Sequence, residues 1–310
     1  MIKVLFSAQP PVWDEYQSHL RQAFDAAGLS CDLSRDHPPD QVDYIVFAPN
    51  GPVKDFTPYV NTKLVMGLWA GVETVVGNTT LTQPLARMVD HGLTQGMLEW
   101  VTGHVLRHHL GMDAHIAGQD GEWRDNIYPP LAQDRPVTVL GLGALGAACG
   151  QALAGLGFPV TGWSRNPKRI DGITCLSGDD GLRQALSGAQ VVVLLLPLTP
   201  ATENVLNARS LALTAPAAFI VNPGRGALID DDALLDALDS GQISGATLDV
   251  FRTEPLPADH PYWSNPRVLV TPHIASTTRA ATAAMVIAEN IHRGEAGEPF
   301  QNLVDRSAGY

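Results

Sequence analysis

Short apolar runs alternate with longer segments of helical spacing along almost the whole chain. Residues 2–6, 29–33, 44–47 and 64–68 are such runs and predict strands. Between the first two, Val12, Tyr16, Leu20, Ala23, Phe24 and Ala27 recur at three- and four-residue intervals. That spacing puts them on one face of a helix over 12–27, which Gly28 stops. A second series begins at Val137, with strands expected at 137–140, 160–163, 191–196, 219–221, 246–250 and 268–270. These runs are continuous rather than alternating, the pattern of strands covered on both faces. Helices are expected between them, most clearly over 230–240, where Ala233, Leu234, Ala237 and Leu238 share a face. Strands that alternate with helices imply parallel sheets.

A long helical stretch separates the two series. It covers 94–109, with Met97, Leu98, Val101, Val105 and Leu106 as its apolar residues. A Gly/Asp-rich segment, 111–125, and a Pro-rich one, 128–136, follow it. A domain boundary is expected near the start of that helix. A final helix over 277–292 is long enough to cross back to the first domain. The expected architecture is therefore α/β, with two Rossmann-like or flavodoxin-like domains, each built on a parallel sheet. One is discontinuous (residues 1–96 and 281–310) and would bind the substrate. The other (residues 97–280) would bind a dinucleotide, with the active site in the cleft between them.

The strand at 137–140 runs into Gly141-Leu-Gly143-Ala-Leu-Gly146 and then into a helix over 147–156. Gly141 permits a tight turn, Gly143 lets a pyrophosphate approach the backbone, and Gly146 lets the helix pack on the strand. The N-terminal amides of the helix, at Ala144, Leu145 and Gly146, would face the anion. A glycine-rich turn without a ligand is the competing reading; the strand–loop–helix context speaks against it. The end of the next strand selects the dinucleotide. An acid there would bind the ribose 2′-hydroxyl of NAD, but the chain has Ser164-Arg165-Asn166-Pro167-Lys168. Ser164 can donate to a 2′-phosphate, Arg165 can pair with it, and Lys168 adds positive charge, so NADP(H) is expected ahead of NAD(H). Arg165 and Lys168 as solvated surface charges are the alternative.

Three further signals stand at strand ends: Asn222-Pro-Gly-Arg225-Gly226, Leu248-Asp249-Val-Phe-Arg-Thr-Glu254-Pro, and Thr271-Pro-His273-Ile-Ala-Ser276. Ligands of open α/β sheets gather outside the carboxyl ends of strands. Hydride reduction of a 2-keto acid builds negative charge on the carbonyl oxygen, and that charge must be met by a proton. His273 can supply it, because imidazole exchanges a proton near neutral pH. Glu254 beside the ring would orient it and favour its protonated form. Arg225 can hold the carboxylate and polarise the carbonyl. Singly, each has a plain structural reading: a satisfied histidine, a surface turn, a capping acid. Together, downstream of a dinucleotide loop, they read as a catalytic set.

Composition narrows the partners. The 310 residues carry a net charge of −12, which repels nucleic acid and anionic membranes. An anionic substrate therefore requires a local cluster of cations or amides. Cys31, Cys149 and Cys175 lack metal-ligand or disulfide spacing, so no metal is expected. The N-terminal segment lacks the features of a signal peptide and the longest apolar run, 191–196, is too short to span a bilayer, so a cytoplasmic protein is expected.

At these motifs the chain resembles the D-isomer-specific 2-hydroxyacid dehydrogenase family. The four motifs follow the family order, and the match covers nearly the whole chain. Within the family, Gly157-Phe-Pro-Val-Thr-Gly-Trp163-Ser-Arg165, the run 231–241 and the closing run 304–310 resemble its glyoxylate/hydroxypyruvate-reducing branch. The resemblance implies the roles given above for Arg225, Glu254 and His273. It implies that the amides of Trp69, Ala70, Gly71 and Val72 hold the substrate carboxylate, as consecutive N–H groups after a strand can. It further implies Asp249 on the nicotinamide amide, with Leu196, Pro197, Asn222 and Pro223 lining the cofactor. It also implies a homodimer formed around the helix over 94–109, with Trp123 in the same arm. Pro223 departs from the small residue many members carry, and removes one N–H. Two other readings remain at this stage. One is a dehydrogenase of a bulkier 2-keto acid, with Phe47, Trp69 and Trp263 as pocket walls. The other is a non-catalytic NADP-sensing protein on the same scaffold.

Overall fold

The apolar runs become the strands of two all-parallel sheets. The computed structural model describes residues 1–126, 128–306 and 309; Ser307, Ala308 and Tyr310 of the closing run lie outside the described residues. The chain divides into two units, Met1–Leu93 with Thr277–Tyr310, and Thr94–Ser276.

The first unit carries β1 (Ile2–Ser7), α1 (Pro10–Ala26), β2 (Cys31–Ser34), β3 (Tyr44–Phe47), β4 (Leu64–Gly67) and β5 (Leu85–Ala86). Its sheet order is β2-β1-β3-β4-β5, the flavodoxin-like winding. Two prolines open α1, and Tyr16, Leu20 and Phe24 recur every fourth residue as its buried stripe. That stripe packs on one sheet face together with Ala283, Ala284, Ile287 and Ile291 from the end of the chain. The other face is covered by Phe56, Tyr59, Val72, Val75 and Leu81, which lie between strands. Phe47, expected as a pocket wall, is 3% exposed and packs edge-on against Phe56 in this layer, so it is core.

The second unit begins within α2 (His91–His109) and continues through α3 (Met112–Ala117), β6 (Val137–Leu140), α4 (Ala144–Gly155), β7 (Val160–Ser164), β8 (Thr174–Ser177), α5 (Gly178–Leu186), β9 (Val191–Leu194), α6 (Ala208–Leu211), β10 (Ala218–Asn222), α7 (Asp231–Ser240), β11 (Ile243–Leu248) and β12 (Val268–Val270). The sheet order β12-β11-β10-β9-β6-β7-β8 reverses direction between β6 and β9. That reversal is the switch point at which doubly wound sheets bind ligands. Strands β6, β9 and β10 are buried along their whole length, as continuous apolar runs require. On one face α2 and α4 pack through Met97, Val101, Val105, Cys149 and Leu153. On the other, α7 packs through Leu234 and Leu238. Asp230 caps α7 by accepting from the amide of Ala233, and Gly241 ends it at φ 80°.

The last helix, α8, spans Ala280–Glu295 rather than 277–292, and lies wholly in the first unit. The return to that unit is therefore made by the extended residues before Ala280, not by the helix. Among the described residues no helix is long and apolar enough to cross a membrane, and no cluster of three metal-binding side chains occurs.

Candidate active site

The glycine loop separates what the fold needs from what a ligand needs. Gly141 sits at φ 106°, and a Cβ there would stand 2.5 Å from the carbonyl of Leu195. A Cβ on Gly146 would stand 1.7 Å from the carbonyl oxygen of Gly141. Backbone packing alone therefore demands both glycines. At Gly143 a Cβ would meet nothing within 4 Å, and the residue is exposed at the start of α4. Gly143 is the N-cap of α4, and its bare face leaves room for an anion in front of the helix. No side chain caps α4, so the amides of Ala144, Leu145 and Gly146 point outward with the positive end of the helix dipole. This cradle fits a dinucleotide pyrophosphate.

Beside it, Ser164 ends β7, and its hydroxyl donates to the carbonyl of Asn166 at 2.8 Å. Arg165 and Lys168 are exposed. The Lys168 ammonium reaches back to the carbonyl of Leu142 at 2.5 Å, which ties the 164–168 loop to the glycine loop. No acid stands between Ser164 and Arg169, so a 2′-phosphate meets no repulsion from this segment. Leu196 is buried just beyond β9, where its backbone approaches Gly141, and the carbonyl of Pro197 accepts from the Thr202 hydroxyl at 2.7 Å.

Three loops leave the carboxyl ends of β10, β11 and β12 and interlock. After β10, the buried Asn222 closes the turn around Pro223. Its side chain accepts from the amide of Gly224 at 3.0 Å and donates to the carbonyl of Arg225 at 3.0 Å. Arg225 is half-buried and donates to the carbonyl of Gly224 at 2.6 Å. A Cβ on Gly226 would lie 2.0 Å from the carbonyl carbon of Phe251, so glycine lets the Arg225 loop press on the turn after β11. In that turn the amide of Phe251 donates to Glu254 Oε1 at 2.9 Å. The other carboxylate oxygen, Oε2, lies 2.7 Å from Nδ1 of His273, which follows β12. Backbone packing thus links the Arg225 loop to Glu254, and Glu254 holds His273.

His273 has a left-handed backbone, φ 55°, unusual for a residue with a Cβ. Asp249, fully buried, maintains it. Its carbonyl accepts from the amide of His273 at 2.8 Å, and its carboxylate accepts from the amides of Ile274 at 2.9 Å and Ala275 at 2.8 Å. The Thr271 hydroxyl adds a fourth bond, at 2.5 Å to the Asp249 carboxylate. The family resemblance implies a cofactor contact for Asp249, and nothing in the spacing singles out Thr271. Only the folded loop shows the carboxylate gathering three donors from this loop.

In the first unit, Trp69, Ala70, Gly71 and Val72 follow β4 directly. Trp69 is exposed, and its carbonyl accepts from the amide of Met88 at 3.0 Å. Among the described residues none accepts from the amides of Ala70, Gly71 or Val72. These amides are the donors that the expected nest would use. Trp263, the remaining suggested wall, is exposed, with its indole N–H on the carbonyl of Pro257 at 3.0 Å.

Known proteins share this chain's fold and much of its sequence. The profile "D-isomer specific 2-hydroxyacid dehydrogenase, NAD binding domain" matches residues 102–275. The chain is 41% identical over 256 residues to glyoxylate/hydroxypyruvate reductase A of Serratia proteamaculans, covering 80% of this chain and 82% of that protein. Among solved structures it is similar to a D-isomer specific 2-hydroxyacid dehydrogenase of Xanthobacter autotrophicus Py2 in complex with NADPH and MES. The TM-score is 0.92 at 40% identity, over 100% of this chain and 99% of that one. It is also similar to the NADPH-dependent glyoxylate/hydroxypyruvate reductase of Sinorhizobium meliloti in complex with NADP and sulfate, with TM-score 0.86, 34% identity and coverage of 100% and 99%. A glycine cradle at a sheet's switch point, an Arg/Glu/His set on adjoining strand ends and these relatives lead to one conclusion: the chain belongs to the D-isomer specific 2-hydroxyacid dehydrogenase family, whose members are NAD(P)-dependent oxidoreductases.

Proposed function

We propose that the chain reduces a small 2-keto acid, glyoxylate or hydroxypyruvate, to the 2-hydroxy acid with NADPH as the preferred cofactor. The observation that carries this reading is the 2.7 Å contact between Glu254 and His273 on a loop clamped by Asp249. Glu254 fixes Nδ1, so Nε2 is the ring position that delivers a proton to the keto oxygen. Arg225 draws charge onto that oxygen and can bind the carboxylate. NADPH, when bound, supplies the hydride. The cradle at residues 141–146 orients its pyrophosphate, and Ser164, Arg165 and Lys168 favour its 2′-phosphate. Such a reaction draws on the cytoplasmic NADPH pool.

Side-by-side assays of 2-keto acids with NADPH and NADH test the reading. Turnover is expected to be fastest with glyoxylate or hydroxypyruvate and NADPH; a strong NADH preference refutes the assignment of residues 164–168. His273→Ala is expected to lose kcat by 10²-fold or more with NADPH binding intact. A kcat near wild type in that variant removes His273 as proton donor. NADPH binding without turnover of any 2-keto acid would instead point to the sensor reading.

The working form is a homodimer assembled around α2 and α3. Met112, Ile116, Trp123, Tyr128 and Leu131 are exposed there, with Trp123 at 89%. Isolated apolar residues are ordinary on a surface, but a run of them on one arm needs a cover. Sedimentation of the wild type should give a dimer, and Trp123→Asp should shift it toward monomer; a monomeric wild type rejects the assembly.

A further inference from the structure

The first unit holds a cation, Arg87, whose guanidinium meets no partner among the described residues. Arg87 follows β5 directly, at the carboxyl edge of the sheet. Its Cα lies 4.0 Å from the place a Cβ on Gly67 would take, at the end of β4. The next residue, Met88, donates its amide to the carbonyl of Trp69, and the amide of Arg87 donates to Asn302. Arg87 is thus fixed by backbone bonds beside the loop whose amides at 70–72 are unspent. Its side chain is half-buried, and among the described residues no acceptor or acid meets the guanidinium. Burial alone pushes its pKa down, with no nearby carboxylate acting in the other direction. Elsewhere in the same unit, the Arg306 guanidinium finds the carbonyls of Leu81 and Gln83. A half-buried guanidinium with open N–H donors is a ready partner for an anion.

We propose that Arg87 is a substrate-binding residue that receives the carboxylate of the 2-keto acid, alongside the amides of Ala70, Gly71 and Val72. The proposal rests on the functional reading above and refines it. A guanidinium offers two parallel N–H donors, which match the two oxygens of a carboxylate. It also answers the problem set by the chain's charge of −12: an anion is drawn to a cation held beside a strand end.

The test uses the full-length protein, Arg87→Gln and oxamate, an unreactive isostere of a 2-keto acid. Millimolar oxamate should raise the melting temperature of the wild type above a chloride control of equal ionic strength, and should leave the variant unmoved. In steady state the variant should raise KM for glyoxylate about 10- to 100-fold, the range of a lost charge-assisted pair. Its kcat should stay within about threefold and its NADPH affinity should be unchanged. Without ligand, Arg87→Gln should melt no lower than the wild type, because it removes an unpaired charge. An unchanged KM and an unchanged oxamate shift in a folded variant overturn the proposal. Should Arg87→Gln fail to fold, Arg87→Met, which keeps the apolar stem, is read the same way. Collapse of both, even with oxamate, assigns Arg87 to the scaffold and also overturns it. Oxamate binding is read without turnover. A chain that binds oxamate through Arg87 but reduces no 2-keto acid therefore fails the functional reading alone.

Discussion

Gly143 and Gly146 differ only in their surroundings, and that difference can be measured. A methyl group on Gly146 collides with the carbonyl oxygen of Gly141, whereas one on Gly143 enters open space. Gly146→Ala should therefore destabilise the protein by about 1–3 kcal/mol or more, lowering Tm by roughly 5 °C. Gly143→Ala should melt like the wild type yet bind NADPH about tenfold more weakly, because its methyl group occupies the place of the pyrophosphate. Calorimetry and a fluorescence titration separate the two; equal cofactor affinity in Gly143→Ala and the wild type would remove the ligand explanation of that glycine. The sequence pattern already assigned separate duties to these glycines. It could not show the Asp249 clamp, because a buried carboxylate that spends its oxygens on Thr271, Ile274 and Ala275 is an outcome of loop geometry, invisible to spacing.

At the scale of elements, legibility followed burial. Strands β3, β6 and β12 fall where their apolar runs placed them, since β3 and β6 are buried along both faces and β12 is half-buried throughout. Strand β8 leaves no clear pattern in the sequence, because Thr174–Ser177 sits at the sheet edge, half-exposed, with only a weak alternation. Strand β5 is two residues long, too short for any period, and it is the strand that leads into Arg87. Helix α3 has no buried residue, so its apolar positions form no stripe. Helix α2 hides a different property. His108 stacks on Phe219 at 4.1 Å, His109 meets Phe158 edge-on at 5.0 Å, and His104 meets Trp100 at a tilt, 4.2 Å between ring centres. Burial first, then Arg135, push the His108 imidazole down to about 4, with Asp113 opposing and His109 adding to the fall. Burial also lowers His104 and His109. The unfolded chain takes up these protons near pH 6.5 and the folded chain resists them. Stability is therefore full above about pH 6.5 and falls as pH drops toward the folded value of His108, about 4. Denaturation midpoints between pH 7.5 and 4.5 should decline along that window, and His108→Phe, which keeps the ring contact, should flatten the decline. An identical slope in the variant would exclude His108 as its source.

At the scale of the whole molecule, the two ends of the chain build one unit and the middle builds the other. The inserted unit has a self-contained core: every residue of its two apolar clusters falls between Thr94 and Ser276. It also carries the glycine cradle, Arg225, Glu254 and His273. The first unit is incomplete without residues beyond 276. Helix α8 supplies Ala280, Ala283, Ala284, Ile287, Ala288 and Ile291 to its core. Glu295 accepts from the buried Tyr44 hydroxyl at 2.8 Å and from Lys63 at 2.6 Å, and the Asn290 side chain accepts from the amide of Gln301 at 2.7 Å. Burying two isoleucines alone contributes about 3–6 kcal/mol, a large share of a domain's net stability. A chain ending at Ser276 should therefore fail selectively. Limited proteolysis should cut within residues 1–93 and spare 137–270. NADPH affinity should stay within a few-fold of the full chain, and turnover should vanish. Protection of residues 1–93 equal to the full-length protein would show that the first unit closes its core without α8, contrary to the packing on which this division rests.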